Sequence, residues 1–300
     1  MGKSAKYKGL IMLVLGTTLW GVSGPLIQWF FQKTKLTSIE FLIFRLLFAG
    51  LLILFYLLLL KQNILKIWID KKSRNHLILF SVLGMLGAQY FFIETIKVTN
   101  AVTAMLFQFI SPLFITVYVT LKHKQFPSVI QCLSIFSVFI GLYLLMTNGS
   151  LQNIVFTKKG VFLGIMTALG FTFYTLQPIY LIRTWGPMIV VGWGMLVAGI
   201  FTLILNFNFN FLNFFHNLNW FLTLFLILII LSGTLSFLLY IASLEYISSS
   251  GVSLLSSIEP LVAIIISAVW LEEYLGGYQM SGAILIVISI VLLTVNESNV

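Results

Sequence analysis

Glu259 stands directly before Pro260 in a stretch, Tyr240 to Glu273, that is otherwise almost entirely apolar or small. It is the eleventh residue of a 23-residue span, Ser249 to Leu271, and so falls near the middle of whatever that span crosses. A carboxyl group at that depth can bind a proton, a cation or an amine; alternatively, hydrogen bonds from Ser256, Ser257 and neighbouring helices make it a packing group. Ser249, Ser253, Ser256, Pro260, Ala263 and Ser267 recur at steps of four and three, a single helix face suited to close approach by a neighbour. Arg45 lies eight residues into its own span, about 11 Å from the start at about 1.5 Å per residue. It can serve as a fixed cation facing a cavity, for an anion, a carboxylate or Glu259, or its long side chain can run to the interface. Gln89, Gln108 and Gln177 can hydrogen-bond a cargo, with bonding between helices as the default. Trp20 and Trp193 sit within spans, where they can wall an apolar cavity or simply pack. Trp29, Trp68 and Trp220 sit at span edges and read as interfacial anchors. Glu94 and Lys97 have the spacing of an ion pair one helical turn apart. Glu40, Glu245, Glu272 and Glu273 lie near span ends and read as solvated or capping groups.

Those residues are carried by a chain that is 60% hydrophobic and 8% charged, against about 25% charged in soluble domains. So much apolar surface needs lipid as its solvent. The net charge of +9 sits in short connectors, which makes it a topology signal rather than a nucleic-acid-binding face. One cysteine, Cys132, excludes an internal disulfide, and the histidines lie at span ends or in connectors. No metal site, no cofactor and no nucleotide-binding P-loop is expected. A membrane-embedded enzyme would need a nucleophile–base pair or metal ligands at depth, and the spans offer neither. The basic N-terminus and the long apolar run behind it read as a retained first helix rather than a cleaved leader.

At about 20 apolar residues per crossing, ten spans are expected, at 9–31, 38–60, 76–97, 100–121, 128–146, 160–183, 186–206, 220–244, 249–271 and 278–295. Of the 17 Lys and Arg, eleven fall in segments that are cytoplasmic if the N-terminus is, five fall in the opposite set, and the last is Arg45. The bias puts both termini in the cytoplasm. Phe92 to Leu145 aligns without a gap on Tyr240 to Leu293, pairing Pro112 with Pro260 and Gln131 with Gln279. Five spans per half is an odd number, so two halves, 1–150 and 151–300, would sit upside down relative to each other, with a site near the midplane between them. Helix breaks are expected at Gly21, Gly24 and Pro25 and at Gly170 and Pro178; Pro112 and Pro260 complete the helix-breaking set near the site. The Asn- and Phe-rich stretch 207–219 suits a strand or an interfacial connector anchored by Trp220.

Several segments then look familiar. GTTLWGVSGPL (16–26) with Trp20-Gly21, LTSIEFLIFRLLFAGLLILFYLLLL (36–60) with Arg45 and Ala49, and IEPLVAIIISAVWLEEYLGGYQMSGAILIVISIVLL (258–293) resemble EamA-type proteins of the drug/metabolite transporter superfamily. The resemblance implies an all-α polytopic membrane protein, with ten transmembrane helices as two inverted five-helix repeats, that moves small molecules across the cytoplasmic membrane. The first half departs from the acidic turn Glu272-Glu273, carrying His123-Lys124-Gln125 instead.

The resulting expectation is an inner-membrane, multi-pass permease for a small metabolite such as an amino acid or amine. It would work by alternating access, with export as the direction and protons as a coupling ion. Glu259, Arg45, Trp20, Gln108, Ser256 and Trp193 would serve binding or coupling. The alternative is a non-transporting membrane receptor or partner protein. The bilayer and a small solute are the expected partners, nucleic acid is not, and a homodimer is left open.

Overall fold

The computed structural model describes residues 3–123, 128–150, 157–216, 218–243, 246 and 258–297, and every regular element among them is helical. In chain order these are α1 (Lys3–Lys33), α2 (Ser38–Leu59), α3 (Lys66–Ile69), α4 (Lys71–Leu79), a π-helical segment (Phe80–Leu86), α5 (Gly87–Val98), α6 (Ala101–Gln108), α7 (Ser111–His123) and α8 (Val129–Thr147). After them come α9 (Lys158–Leu176), α10 (Ile179–Trp185), α11 (Pro187–Leu205), α12 (Phe211–His216), α13 (Trp220–Ser243), α14 (Ile258–Trp270) and α15 (Gly277–Glu297). Seven helical stretches are long and apolar enough to cross a membrane, and three shorter apolar ones lie at Ala101–Ile115, Ile258–Trp270 and Gly277–Leu292.

Helix starts follow local chemistry. Thr37 and Glu40 form a reciprocal capping box at α2, and Ser128 and Gln131 form one at α8. Asn100 caps α6, Thr157 caps α9 and Asp70 caps α4. The Ser73 hydrogen bonds hold the exposed Asp70 carboxyl below the usual carboxylate range.

Inside a bilayer there is no hydrophobic drive between helices, so close backbone approach does the packing. α8 packs on α15, α2 on α11, α1 on α13 and α14, and α9 on α5, α6 and α7. Two crossings are reciprocal. A Cβ on Gly50 would lie 2.5 Å from the Leu196 nitrogen, and one on Gly199 would lie 2.9 Å from the Leu47 nitrogen. On the other pair, a Cβ on Gly141 would meet the Gly282 carbonyl at 2.8 Å, and one on Gly282 the Gly141 carbonyl at 2.5 Å.

Some expectations change. α1 runs unbroken through Gly21, Gly24 and Pro25, and α9 through Gly170. A proline costs one backbone bond, and this long helix holds its course around the buried Pro25. The real breaks are at Gln177-Pro178, where α9 gives way to α10, and at Phe109-Ile110, just before Pro112. At the second, tight bonds from Ile110 N–H to the Phe107 carbonyl and from Leu113 N–H to the Ile110 carbonyl satisfy the freed backbone. The stretch 207–219 holds a short helix, α12, not a strand; Phe214 is buried there and stacks on Phe44 of α2 at 5.2 Å. Glu94 and Lys97 do not pair: Glu94 accepts a hydrogen bond from Ser38, and Lys97 lies over the Phe31 ring at 4.8 Å. Both side chains turn from each other to the corner joining α1 and α2.

Candidate functional site

Glu259, Pro260, Ala263 and Ser267 form the buried face of α14, which is the small-residue stripe read from the sequence as far as the described residues carry it. Ser249, Ser253 and Ser256 lie outside the described residues. Against this face comes α1, where Gly21 gives the clearance: a Cβ there would sit 2.6 Å from the Glu259 carbonyl oxygen. The Glu259 side chain is buried, and its Oε1 accepts a hydrogen bond from Gln108 Nε2 at 3.1 Å. Gln108 is the last residue of α6, so the break that follows it fixes where its amide ends.

Glu259 and Gln108 stand at the waist between two chambers. The first is walled by α1, α2, α5, α6, α9, α13, α14 and the π-helical segment. The second adds Ser111, Pro112, Thr175 and Tyr240. Both are lined by Trp20, Gln108, Phe171 and Glu259. Trp20 is held edge-on to Phe237 at 4.7 Å and against Tyr240 at 5.1 Å, so the waist is aromatic on one side and polar on the other.

Arg45 lines the first chamber and is 6% exposed. It packs beside Gly233, where a Cβ would lie 3.0 Å from its terminal nitrogen, and its guanidinium stands 5.9 Å from the Phe41 ring centre. Among the described residues it makes no ion pair and no hydrogen bond, and it is not bridged to Glu259.

Trp193 does not belong here. Its indole N–H donates to the Ile64 carbonyl at 2.8 Å, and its ring packs edge-on against Trp68 at 5.1 Å, away from both chambers. The connector after α2 folds back over α11 and claims that ring, which sequence position alone cannot show. Pro112 lines the second chamber, Pro260 follows Glu259, Pro25 is buried in α1, and Pro178 starts α10. Gln177 takes its default role, donating to the His76 carbonyl at 2.9 Å. Glu273 is not simply solvated: Gln28 Nε2 donates to it at 2.6 Å, while Gln28 Oε1 accepts from the Ala101 N–H at 2.7 Å. This clasp ties α1, α6 and the α14–α15 connector together.

Sequence reading missed Tyr174, Phe171 and Phe237 and assigned Gln89 to helix bonding. A signal existed: Met85, Ala88, Gln89 and Phe92 repeat at helical spacing on one face, and all four line the first chamber.

With this geometry in view, family comparison is decisive. The EamA-like transporter family model matches residues 7–147 and again residues 158–295. The chain belongs to the EamA-like transporter family. It is therefore a membrane transporter of the drug/metabolite transporter type. It is 30% identical over 290 residues to the "Uncharacterized inner membrane transporter YicL" of Salmonella typhimurium, covering 97% of this chain and 96% of that one. A protein of known crystal structure superimposes with a TM-score of 0.60 at 15% identity, over 100% of this chain and 99% of the other, which is a likeness of fold.

Proposed function

We propose that this EamA-like protein is an inner-membrane permease, not an enzyme, that moves a small metabolite, an amino acid, amine or similar solute, by alternating access. The observation that carries this reading is the paired chamber. Two buried ionisable side chains, Glu259 and Arg45, line one chamber whose other walls are mainly aromatic and apolar. Ionisable groups within the membrane are costly and turn inward where they serve a passage. A waist with a chamber on each side is what a solute exposed first to one face and then to the other requires.

The frame we propose is ten spans in two inverted repeats, 1–150 and 151–300. Exchange α1 with α9, α2 with α11, α5 with α13, α6 and α7 with α14, and α8 with α15. The set of main packed pairs then maps onto itself: α1 on α13 becomes α9 on α5, and α1 on α14 becomes α9 on α6 and α7. The reciprocal glycine crossings of α2 with α11 and α8 with α15 are what a two-fold axis through each crossing would produce. With both termini cytoplasmic, as the Lys and Arg bias favours, the second chamber faces the cytoplasm and the Gln28–Glu273 clasp lies on the outer side.

The test is solute counterflow in proteoliposomes containing only this protein, run from about pH 5.5 to 8 with parent and Glu259→Gln. The parent is expected to exchange a subset of amino acids and amines. An imposed proton gradient is expected to drive uphill export, and Glu259→Gln is expected to lose that drive. Solute binding with no flux under any gradient would make the protein a receptor instead.

A further inference from the structure

Two apolar grooves open sideways from the bundle, apart from the chambers at the waist. The helix pairs α1–α13 and α2–α11 are each closely packed but meet one another lightly, and the first groove follows that seam. It leaves about 790 Å³ among side chains that include Met12, Tyr56, Met188, Leu235 and Tyr246. The second follows the seam between α2–α11 and α5–α9 and leaves about 520 Å³. The two share a plan: Met188 answers to Ile39, Leu235 to Leu86 and Leu205 to Tyr56, each pair 149 residues apart. They lie at opposite ends of the bundle, the first where α2 ends and α11 begins, the second where α2 begins and α11 ends. Their mouths carry opposite charge. Lys8 is exposed, one helical turn before Met12 on α1, and its Nζ stands 5.3 Å from the centre of the Tyr246 ring, which lines the first groove. Lys61 follows α2 and Arg183 lies in the last turn of α10, at the same end; Glu245 lies outside the described residues. At the second groove Glu40 follows Ile39 and Glu94 stands one turn beyond Tyr90, while Lys97 lies over the Phe31 ring, outside the groove lining.

We infer that the first groove is a binding site for an anionic phospholipid, with an acyl chain lying in the seam and the phosphate head at Lys8. An acyl chain supplies the contacts that two lightly joined helix pairs do not make for themselves. Apolar walls give no reason to prefer one lipid over another; the cation at the mouth does. A lysine ammonium is a point charge with three rotatable donors, suited to a phosphate, and the Tyr246 ring beneath it keeps it at the rim of the groove. With both termini cytoplasmic, as proposed above, this groove faces the inner leaflet, whose surface is negative. The matched groove, flanked by Glu40 and Glu94, offers the phosphate no such partner. The site does not depend on the permease reading.

The probes are phosphatidylglycerol and phosphatidylcholine with the same acyl chains, added to delipidated full-length protein in detergent. Binding is followed by native mass spectrometry and by the thermal midpoint, which rises as lipid binds the folded state. Phosphatidylglycerol is expected to bind about fivefold or more tightly than phosphatidylcholine, the share of one lysine beside an anionic surface. Lys8→Gln should remove that preference, whereas Lys97→Gln, at an exposed cation of the other end, should keep it. Met188→Trp fills the first groove and should weaken phosphatidylglycerol binding, while Ile39→Trp, at the matched position of the second, should not. Lys8 is exposed, so its variant tests the site even if the tryptophan variants fold poorly. Equal affinity for the two lipids, a preference that survives in Lys8→Gln, or losses from Lys97→Gln or Ile39→Trp as large as those from their counterparts overturns the inference. Flux is not part of the readout, so the result stands apart from that of the counterflow test.

Discussion

Leu47 and Gly50 of α2 meet α11 as Leu196 and Gly199 of α11 meet α2, a constant offset of 149 residues in the chain. The chemistry obeys no such rule. The position matching Arg45 at that offset is Gly194, and the position matching Glu259, by the alignment that pairs Pro112 with Pro260, is Ser111. The two halves share a packing plan and differ in what they bring to the cavity. Packing can be duplicated because a crossing asks only for a missing side chain on each partner. A buried carboxyl cannot: two across one narrow waist would repel, and each already carries a desolvation cost of several kcal/mol. An asymmetric site on the two-fold frame proposed above is thus the expected outcome of putting one charge of each sign into a shared cavity.

The largest expected effect tests the asymmetry. Glu259→Gln should insert and fold normally yet lose cargo affinity or gradient-driven flux about tenfold or more, at about 1.5–3 kcal/mol for a hydrogen bond to a charged group. Ser111→Ala, at the matching position, should stay close to the parent in the same proteoliposome assay. Equal losses would mean that both halves carry the chemistry.

Next comes the symmetry. Gly50→Ala and Gly199→Ala each force a methyl into neighbouring backbone, and overpacking of this kind costs about 1–3 kcal/mol. The two should lower the thermal midpoint in detergent by similar amounts. A harmless Gly50→Ala beside a damaging Gly199→Ala would break the two-fold description of that crossing.

A smaller difference is expected at the matched glutamines. Gln131 Oε1 accepts from the Ser128 N–H at 2.8 Å and Gln279 Oε1 from the Gly276 N–H at 3.0 Å, the same reach back over a helix start. Gln279 alone also donates to the buried Leu145 carbonyl at 3.1 Å. Gln279→Ala should therefore cost about 1 kcal/mol more than Gln131→Ala in chemical unfolding.

The smallest effect concerns Asp70, which caps α4 through the Ser73 N–H at 2.9 Å, as Asn219 at the same 149-residue offset accepts from the Leu222 N–H at 2.8 Å at the start of α13. Its carboxyl is held below its ordinary range, so its contribution is present above the unfolded-state value and fades as pH falls through the folded one. Asp70→Ala should lower the thermal midpoint slightly at neutral pH, and the gap to the parent should close in acid.

Much of this was legible beforehand. Apolar run lengths placed the seven long helical stretches to within about five residues, because crossing a bilayer sets a length that composition must meet, while the expected span 100–121 is broken into α6 and α7. The Pro260–Ala263–Ser267 stripe foretold the buried face of α14; Gln131 and Gln279, aligned in the sequence, each reach back over a helix start, a role the alignment did not state. What stayed hidden depended on which way a side chain turns. Trp20 and Trp193 are alike in sequence terms, yet one walls the waist and the other is taken by Ile64 and Trp68. Tyr174 looked like one aromatic among many, since nothing in the sequence shows that its hydroxyl finds no partner. Breaks were expected at glycines and prolines alike, but those glycines serve close approach, so α1 and α9 run straight through theirs.

The pairing of α8 with α15 has a bearing on how the protein is made. About 130 residues separate the end of α8 from the start of α15, and at about 5–20 residues per second a ribosome needs roughly 7–26 s to cover them. Over that interval α8 sits in the membrane with its Gly141 face open to lipid, its main partner not yet synthesised. A nascent chain truncated before Gly277 would therefore leave α8 without its main partner and open to quality control, however well the earlier helices had packed.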